Sequence, residues 1–462
     1  MVDRMTTLRG ARRASLAAGT AVAVALGAGM TAPAAAQSAE EELREMRQQM
    51  QQMREKMQEL QSKVEENESQ VKDVRAEATG DGSVQPEYPV TLTVAGRVNQ
   101  AVLYAEQENQ DQAFVADNDG SGSRFEFLAE TEFGQWTSGV NIVVSAEVNS
   151  TDELNFGAND DNDVTNGDLG DFRKANWFIE NERLGYFSIG QGDTMSEDTG
   201  HVDLSNTGQA GAGSDVDDMA GGLQFVAANG QGLDAIASNA RGITVDSDDD
   251  ELDDFFDALD GGRAERVIYK TPSFGGFSVG ASLKNASDEL VPSVGVEYAA
   301  SFQGFDLEAA AAWRESEDNQ DTFHGSASVM SPIGVNVTFM GATSESDGTT
   351  AAGNSVEDPN AFFVKAGYQA NFVEVGSTSF SVDFYTGRSN DTFVAPGGDL
   401  PEATSFGASV LQEVEPLAAE LYLTARNYNI EDVNVGTTAA GGGDLRDPDD
   451  MFAVISGARV RF

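Results

Sequence analysis

The sequence predicts an all-β transmembrane barrel of sixteen antiparallel strands with one inward-folded long loop, preceded by an α-helical coiled coil. Three observations predict it. From Thr91 to Phe462 apolar and polar residues alternate in short segments, the period of a half-buried strand. The connections differ in length by turns: TPSFGG, SFQG, SPIG and EVEP are short, whereas RESEDNQD, TSESDGTTAAGNSVEDPN, SNDTFVAPGGDLPE and YNIEDVNVGTTAAGGGDLRDPDD are long and polar. Beyond the N-terminus no apolar run approaches the ~18 residues of a membrane helix, so strands are left as the spanning element. A soluble sandwich also alternates, but it would not separate short and long connections so regularly.

Residues 1–36 carry a secretory signal. Arg4, Arg9, Arg12 and Arg13 form its basic region, Leu16 to Met30 its apolar stretch, and Ala34, Ala35 and Ala36 a small-residue cleavage site. Residues 37–78 are a coiled coil. Leu43, Met46, Met50, Met53, Met57, Leu60, Val64, Val71 and Val74 fall on alternating three- and four-residue steps among Gln, Glu, Lys and Arg. Asn67 takes the remaining seam position, where a polar residue fixes register at some cost in stability. A linker over 79–90 holds Gly80, Gly82, Pro86 and Pro89.

The barrel itself occupies 91–462. In the first segment Leu92, Val94, Val98 and Val102 share one face, and Thr93, Arg97 and Asn99 the other. Later segments repeat the pattern: Phe125, Phe127 and Phe133 stand against Arg124, Glu126, Glu130 and Glu132. Between Gly192 and Gly262 the alternation fails, and the chain becomes rich in glycine and acid. Structureless loops of that length are functional or disordered. Leu223 to Ala240 stays open between loop and strand, whereas Leu252, Phe255, Phe256 and Leu259 fall at helical spacing and are expected to pack near the mouth. In the last segment Phe452, Val454, Val460 and the terminal Phe462 face one way, Arg459 and Arg461 the other.

Composition narrows the partners. A net charge of −49 argues against nucleic acid, whose phosphates need Lys and Arg. It suits a hydrated surface beside cations, or beside the metal-bridged lipopolysaccharide head groups of an outer leaflet, and adaptation to salt explains it equally well. There is no cysteine, which excludes disulfides and thiolate metal sites. Only two histidines occur, His201 and His324. No GxSxG, HExxH or P-loop pattern is present, so neither an enzyme nor a cofactor is expected. Asp117, Asp119 and Ser121 lie at alternate positions as in a calcium loop, but Leu128 stands where the bidentate Glu belongs, and the stretch is taken as a solvated acidic loop without metal.

Residues 91 to 462 resemble the trimeric general-diffusion porins of Gram-negative outer membranes. The resemblance lies in VAGRVNQAVLY, GSRFEFLAETEF, FRKANWFIENERLGYFSIGQGD before the long loop, RVIYKTPSFGGFSVGASL after it, and the terminal Phe462. It implies a water-filled pore in each of three subunits, with the third loop folded inward as a constriction. It implies also that the last strand is presented to the barrel-assembly machinery, and that the coiled coil is periplasmic. In such porins loop acids face a wall of bases. Carried onto this chain, the bases are Arg97 and Arg124, then Arg173 by motif or Lys174 by strand parity, then Arg266 and Lys270. The acids are Glu197, Asp198, Asp203, Asp215, Asp217 and Asp218.

Opposed charges across a narrow wet neck would orient small hydrophilic solutes and disfavour apolar ones. Acidic mouths should give a mild cation preference, weakened by salt. A sugar-specific channel would need a lumenal aromatic track, for which parity offers only Phe178, Phe363, Tyr385 and Tyr422. A phosphate channel would need a denser basic lumen than a chain of −49 supplies. A structural tether would use the helix, about 50 Å long at ~1.5 Å per residue, to reach the cell wall.

Overall fold

A computed structural model describes residues 89–462 except 108–109, 157–169, 227–232, 234–250, 258, 287–288, 316–319, 351–352, 390–392, 396, 435–444 and 447. The signal, the coiled coil and most of the linker lie outside the described residues. The strands are β1 (Val90–Gln107), β2 (Gln110–Asp117), β3 (Arg124–Phe133), β4 (Trp136–Ser145), β5 (Phe172–Asn181), β6 (Gly185–Asp193), β7 (Arg263–Lys270), β8 (Phe277–Ala286), β9 (Glu289–Phe302) and β10 (Phe305–Glu315). They continue as β11 (Asp321–Met330), β12 (Val335–Ser344), β13 (Asn360–Val373), β14 (Gly376–Arg388), β15 (Glu402–Val414), β16 (Ala419–Glu431), β17 (Val433–Asn434), β18 (Leu445–Arg446) and β19 (Met451–Arg461).

Every neighbouring pair is antiparallel. β2 pairs with the second half of β1, from Gln100↔Asp117 to Gln107↔Gln110, and β3 with the first half, from Val90↔Thr131 to Arg97↔Arg124. The two are therefore one barrel strand, interrupted by 118–123. The barrel closes where β1 meets β19, from Arg97↔Arg461 to Gln107↔Met451. Sixteen spanning strands result, with β17 and β18 forming a separate ribbon in the last long connection. Closure leaves no unpaired edge, which a lipid environment requires. No helix among the described residues is long and apolar enough to cross a membrane.

Parity sets the two faces. Leu92, Val94, Val98 and Val102 point outward and are exposed, while Asn99 is buried inside. The alternation of connections also holds, with two exceptions to the expected lengths: β1 and β2, and β8 and β9, are separated by two residues each. At Val143/Val144 the register between β4 and β5 slips by a bulge. That extra residue is Arg173, so strand parity alone misjudges it: Arg173 reaches the buried Glu147, while Lys174 faces the lumen beside Asp193.

The hydrophobic core lies inside the barrel. Leu103 of β1, Met451, Ala453 and Ile455 of β19, Tyr428 and Ile430 of β16, Tyr385 of β14 and Phe393 meet Met219, Leu223, Phe225, Leu252, Phe255 and Phe256 of the long loop. Such a cluster needs a loop that fills space rather than fringes it. Leu252–Phe255 forms the expected helical turn, closed by a reciprocal cap between Glu251 and Asp254. It packs within the lumen rather than merely near the mouth: Phe256 lies 5.5 Å from Tyr385 and 5.2 Å from Tyr428, ring centre to ring centre. Gln224 bridges Glu251, and the rest of the open question over 223–240 lies almost wholly outside the described residues.

Candidate functional site

The loop between β6 and β7 makes two passes through the lumen. The outgoing pass follows the wall strand by strand, because the lumenal positions there are Ser, Thr or Lys. Met195 N donates to Ser282 Oγ of β8 at 2.9 Å. Val202 N and Leu204 N donate to Ser326 Oγ and Ser328 Oγ of β11 at 2.9 and 3.0 Å. Thr207 Oγ1 meets Ser381 Oγ of β14 at 2.8 Å, Thr424 Oγ1 of β16 donates to Ala210 O at 2.7 Å, and Tyr428 OH donates to Val216 O at 2.6 Å. Apart from the hydroxyl pair of Thr207 and Ser381, each such bond satisfies a loop backbone group. Val226 N then reaches Gln107 Oε1 of β1 at 3.1 Å. The return pass resumes at Glu251. Tyr385 OH donates to Asp257 O at 2.9 Å, Arg314 of β10 to Leu259 O at 3.4 Å, and Thr194 N to Gly262 O at 3.4 Å where the loop closes.

Four cations line the far side. Lys365 of β13 is fully buried and donates to Asp203 Oδ2 and to Ala212 O, both at 2.5 Å. Arg426 of β16 and Asp383 of β14 form a pair at 2.7 Å with 0% exposure on either side. A methyl group on Gly407, on the strand between them, would lie 2.6 Å from Asp383 Oδ2 and 2.7 Å from Arg426 Nη2, so the pair fits only against glycine. Arg459 and Arg461 of β19 share Glu420 of β16. The loop seals Lys365 and the Arg426–Asp383 pair; Arg459 and Glu420 are buried beside Ser121, and Arg461 is half exposed.

On the opposite arc the lumenal charges remain part-exposed. Arg124 pairs with Glu126 at 2.9 Å, Lys174 with Asp193, Lys270 with Glu297 at 2.6 Å, and Arg263 with Glu197 at 3.2 Å. Below them Glu130 and Glu132 of β3, Glu180 of β5 and Glu308 of β10 take lumenal positions by register. None of these four joins an ion pair among the described residues.

The expected bases thus sit on one arc. Arg97 donates to Gly122 O at 3.2 Å, and Arg266 to Asp193 O at 2.8 Å and Ser188 Oγ at 3.2 Å. The expected acids do not pair with those bases: Glu197 meets Arg263, Asp203 meets Lys365, and Asp215 meets His201 at 3.1 Å. Asp198 occupies a left-handed turn at φ 61° and accepts through its backbone from His201 N. Asp217 and Asp218 form a turn beneath Ala220, with Thr151 Oγ1 donating to Asp218 O at 2.5 Å. Burial pushes the carboxyls of Asp217 and Asp218 well above the ordinary range, with Asp215 adding to both. Burial and then Asp260 push Glu197 up to about 8, although Arg263 opposes them.

Sequence reasoning missed Lys365, the Arg426–Asp383 pair, Glu420 and Asp260. One signal was available. Residues 101–105 (AVLYA) and 451–455 (MFAVI) are apolar on both faces, the mark of a strand covered on both sides. The 117–123 stretch is not solvated either: Asp117 and Asn118 are buried, with Asp117 accepting from Ser123 N and Gln100 Nε2 at 3.0 and 2.8 Å.

No curated protein matches the chain by sequence. Among solved structures, an anion-selective porin from Comamonas acidovorans is similar at 15% identity and a TM-score of 0.49, covering 81% of this chain and 100% of its own. OmpT, an outer membrane protein of Vibrio cholerae, is similar at 12% identity and a TM-score of 0.47, covering 82% and 100%. The outer membrane channel DcaP of Acinetobacter baumannii is similar at 9% identity and 0.46, covering 83% and 100%. The family model for Gram-negative porins matches residues 19–432, far more than half of the sequence, and the chain therefore belongs to the Gram-negative porin family, the outer-membrane channels for diffusion.

Proposed function

We propose that solutes pass along a crescent of lumen against β3 to β10, and that this crescent admits ions and small hydrophilic solutes with a mild preference for cations. One observation carries the reading: the ion pairs of Arg124, Lys174 and Lys270 on β3 to β9 are part-exposed, whereas Lys365 and the Arg426–Asp383 pair on β13 to β16 are sealed under the loop. The loop adds four kinds of constraint at once, through amide bonds to wall hydroxyls, buried ion pairs, a helical turn and an apolar cluster. It therefore narrows the lumen as a fixed insert. Along the crescent Arg124, Arg173, Lys174, Arg263 and Lys270 each hold a carboxyl partner, while Arg266 bonds only to carbonyl and hydroxyl oxygens. Glu130, Glu132, Glu180 and Glu308 tip the balance toward cations.

Arg97, Arg124, Arg173, Lys174, Arg266 and Lys270 act in this reading as the positive wall, and Glu197 is the loop acid nearest to it through Arg263. The sugar-specific alternative is less well supported. Phe178, Phe363, Tyr385 and Tyr422 are all buried, Phe178 stacking on Tyr186, and offer no open track. A homotrimer stabilised by the N-terminal coiled coil is part of the proposal, on the strength of the family resemblance and the heptad pattern.

Single-channel conductance in planar bilayers, with a solute-size series and a reversal potential under a salt gradient, tests it. The expected result is a conductance below that of an unobstructed sixteen-strand lumen and a cation-preferring reversal potential. Anion preference at low salt would overturn the selectivity.

A further inference from the structure

The two passes of the loop meet at one side chain. His201 on the outgoing pass sets its Nε2 2.6 Å from Asp260 Oδ2 on the return pass, and its Nδ1 3.1 Å from Asp215 Oδ2 further along the outgoing pass. A neutral imidazole carries a single N–H and can donate to only one of them; donation on both sides requires the imidazolium. The contact is thus built for a charged ring. It also borders the crescent: Asp260 acts on Glu197, whose partner Arg263 opens β7.

The other groups facing the ring can be named. Asp198 comes from its own turn, Asp218 from the far turn of the loop, and His324 from β11, where His324 Nδ1 lies 2.9 Å from Thr199 Oγ1. Asp257 acts on both Asp215 and Asp260, and Arg314 of β10 acts on Asp260 and Asp257. Carboxylates dominate, and without the imidazolium nothing on the loop separates Asp215 from Asp260.

We propose that His201 is a proton-operated clasp: with its proton it ties the return pass to the outgoing pass through Asp260 and Asp215, and without it the two acidic passes part and the crescent beside them widens. The widening, though not the clasp, rests on the crescent being the open route. Burial disfavours the ring's charge, but Asp215 and then Asp260 outweigh it and hold the proton well above the ordinary 6.5. A raised folded value means that the clasp is complete below 6.5 and is lost as pH rises through that value. Burial holds Asp215 near 6 against the pull of His201, so in acid that arm becomes a bond to a neutral carboxyl while Asp260, held low by the same ring, keeps its charge.

The test pairs two readouts on full-length protein from about pH 6 to about pH 10. One is single-channel conductance. The other is hydrogen exchange of peptides covering the return pass, corrected for intrinsic rate. Wild type is expected to show a step in both on the alkaline side. His201→Gln should lose the step and sit at the wild type's alkaline level throughout, whereas His324→Gln should keep it. A second variant keeps His201 and bolts the passes together. A Gly261 side chain would begin 2.9 Å from Thr194 Oγ1 but 1.7 Å from Ser196 Oγ, so the pair is made in a Ser196→Gly background; the natural chain has no cysteine, and Thr194→Cys with Gly261→Cys there should abolish the step until reductant is added. A step that survives in His201→Gln, or in the oxidised double variant, would overturn the clasp. A step in exchange without one in conductance would overturn the widening and, with it, the crescent route.

Discussion

Replacing Lys365 by Met isolates what docks the loop. The ammonium is fully buried, and it gives Asp203 and the carbonyl of Ala212 one bond each at 2.5 Å. Methionine fills a similar volume without a donor. Asp203 would keep its bonds from Ser205 N and Oγ at 2.9 and 2.8 Å and from Thr338 Oγ1 at 3.1 Å, but lose its only cation. Removing one partner of a buried pair costs about 3–5 kcal/mol, which lowers the docked-to-undocked ratio of the outgoing pass by about 10²–10⁴-fold. The strands do not share the loss, because their ladders are untouched. The expected result is an intact barrel with faster hydrogen exchange over 200–218 and a noisier open channel. Burial pushes the Asp203 carboxyl up, but in the wild type Lys365 holds it below the usual range. Its contribution is therefore present above 3.8 and lost as pH falls through the lower folded value. In the variant the sign reverses: acid protonates the stranded carboxyl and restores docking. Asp203→Asn added to Lys365→Met should restore it at neutral pH. Unchanged exchange in Lys365→Met, or no recovery in the double variant, would refute the reasoning.

Phe256→Ala removes a fully buried ring from between Tyr385 and Tyr428 and should cost the insert about 3–5 kcal/mol, seen as a separate low-temperature transition of the loop. Arg426→Met should cost a similar amount by stranding Asp383, and should lower the heat resistance of the β14–β16 wall in detergent. Glu130, Glu132 and Glu180 changed together to Gln should move the reversal potential toward anions at low salt and much less at high salt. Deleting residues 40–75 should lower the heat stability of the trimer and leave envelope attachment unchanged; the opposite pattern would favour a tether.

The barrel was legible because a strand with lipid on one side and water on the other must alternate, and β1 shows this from Leu92 to Val98. The lumen was less legible because its partners are far apart in sequence. Asp203 and Lys365 are separated by |i−j| of 162, and nothing local to either marks the other. The pairing of loop acids with wall bases was expected from the family resemblance. Charge does not say how far a loop travels, and this one crosses to β13 and β16 before its acids find partners. Local structure was legible where spacing alone sets it, as in the helical turn of Leu252–Phe255. Parity failed at Arg173 because a bulge is one inserted residue, which alternation cannot register.

Formal charge overstates the acidity of the lumen. Burial pushes Asp217 and Asp218 well above the ordinary carboxylate range, and Glu197 holds its proton up to about 8. At neutral pH the Arg263–Glu197 contact is therefore a cation beside a neutral carboxyl, and the crescent is more positive there than a residue count suggests. As pH rises through about 8, Glu197 ionises and cancels Arg263. Cation preference should then increase, whatever happens to the width of the channel. Reversal potential and conductance separate the two effects, since charge moves the first and cross-section mainly the second. Glu197→Gln should reduce the alkaline change in reversal potential to the part that loss of the His201 proton contributes, while leaving the conductance step of the His201 clasp in place. A reversal potential that shifts as far in Glu197→Gln as in wild type would mean that Glu197 is not the titrating carboxyl.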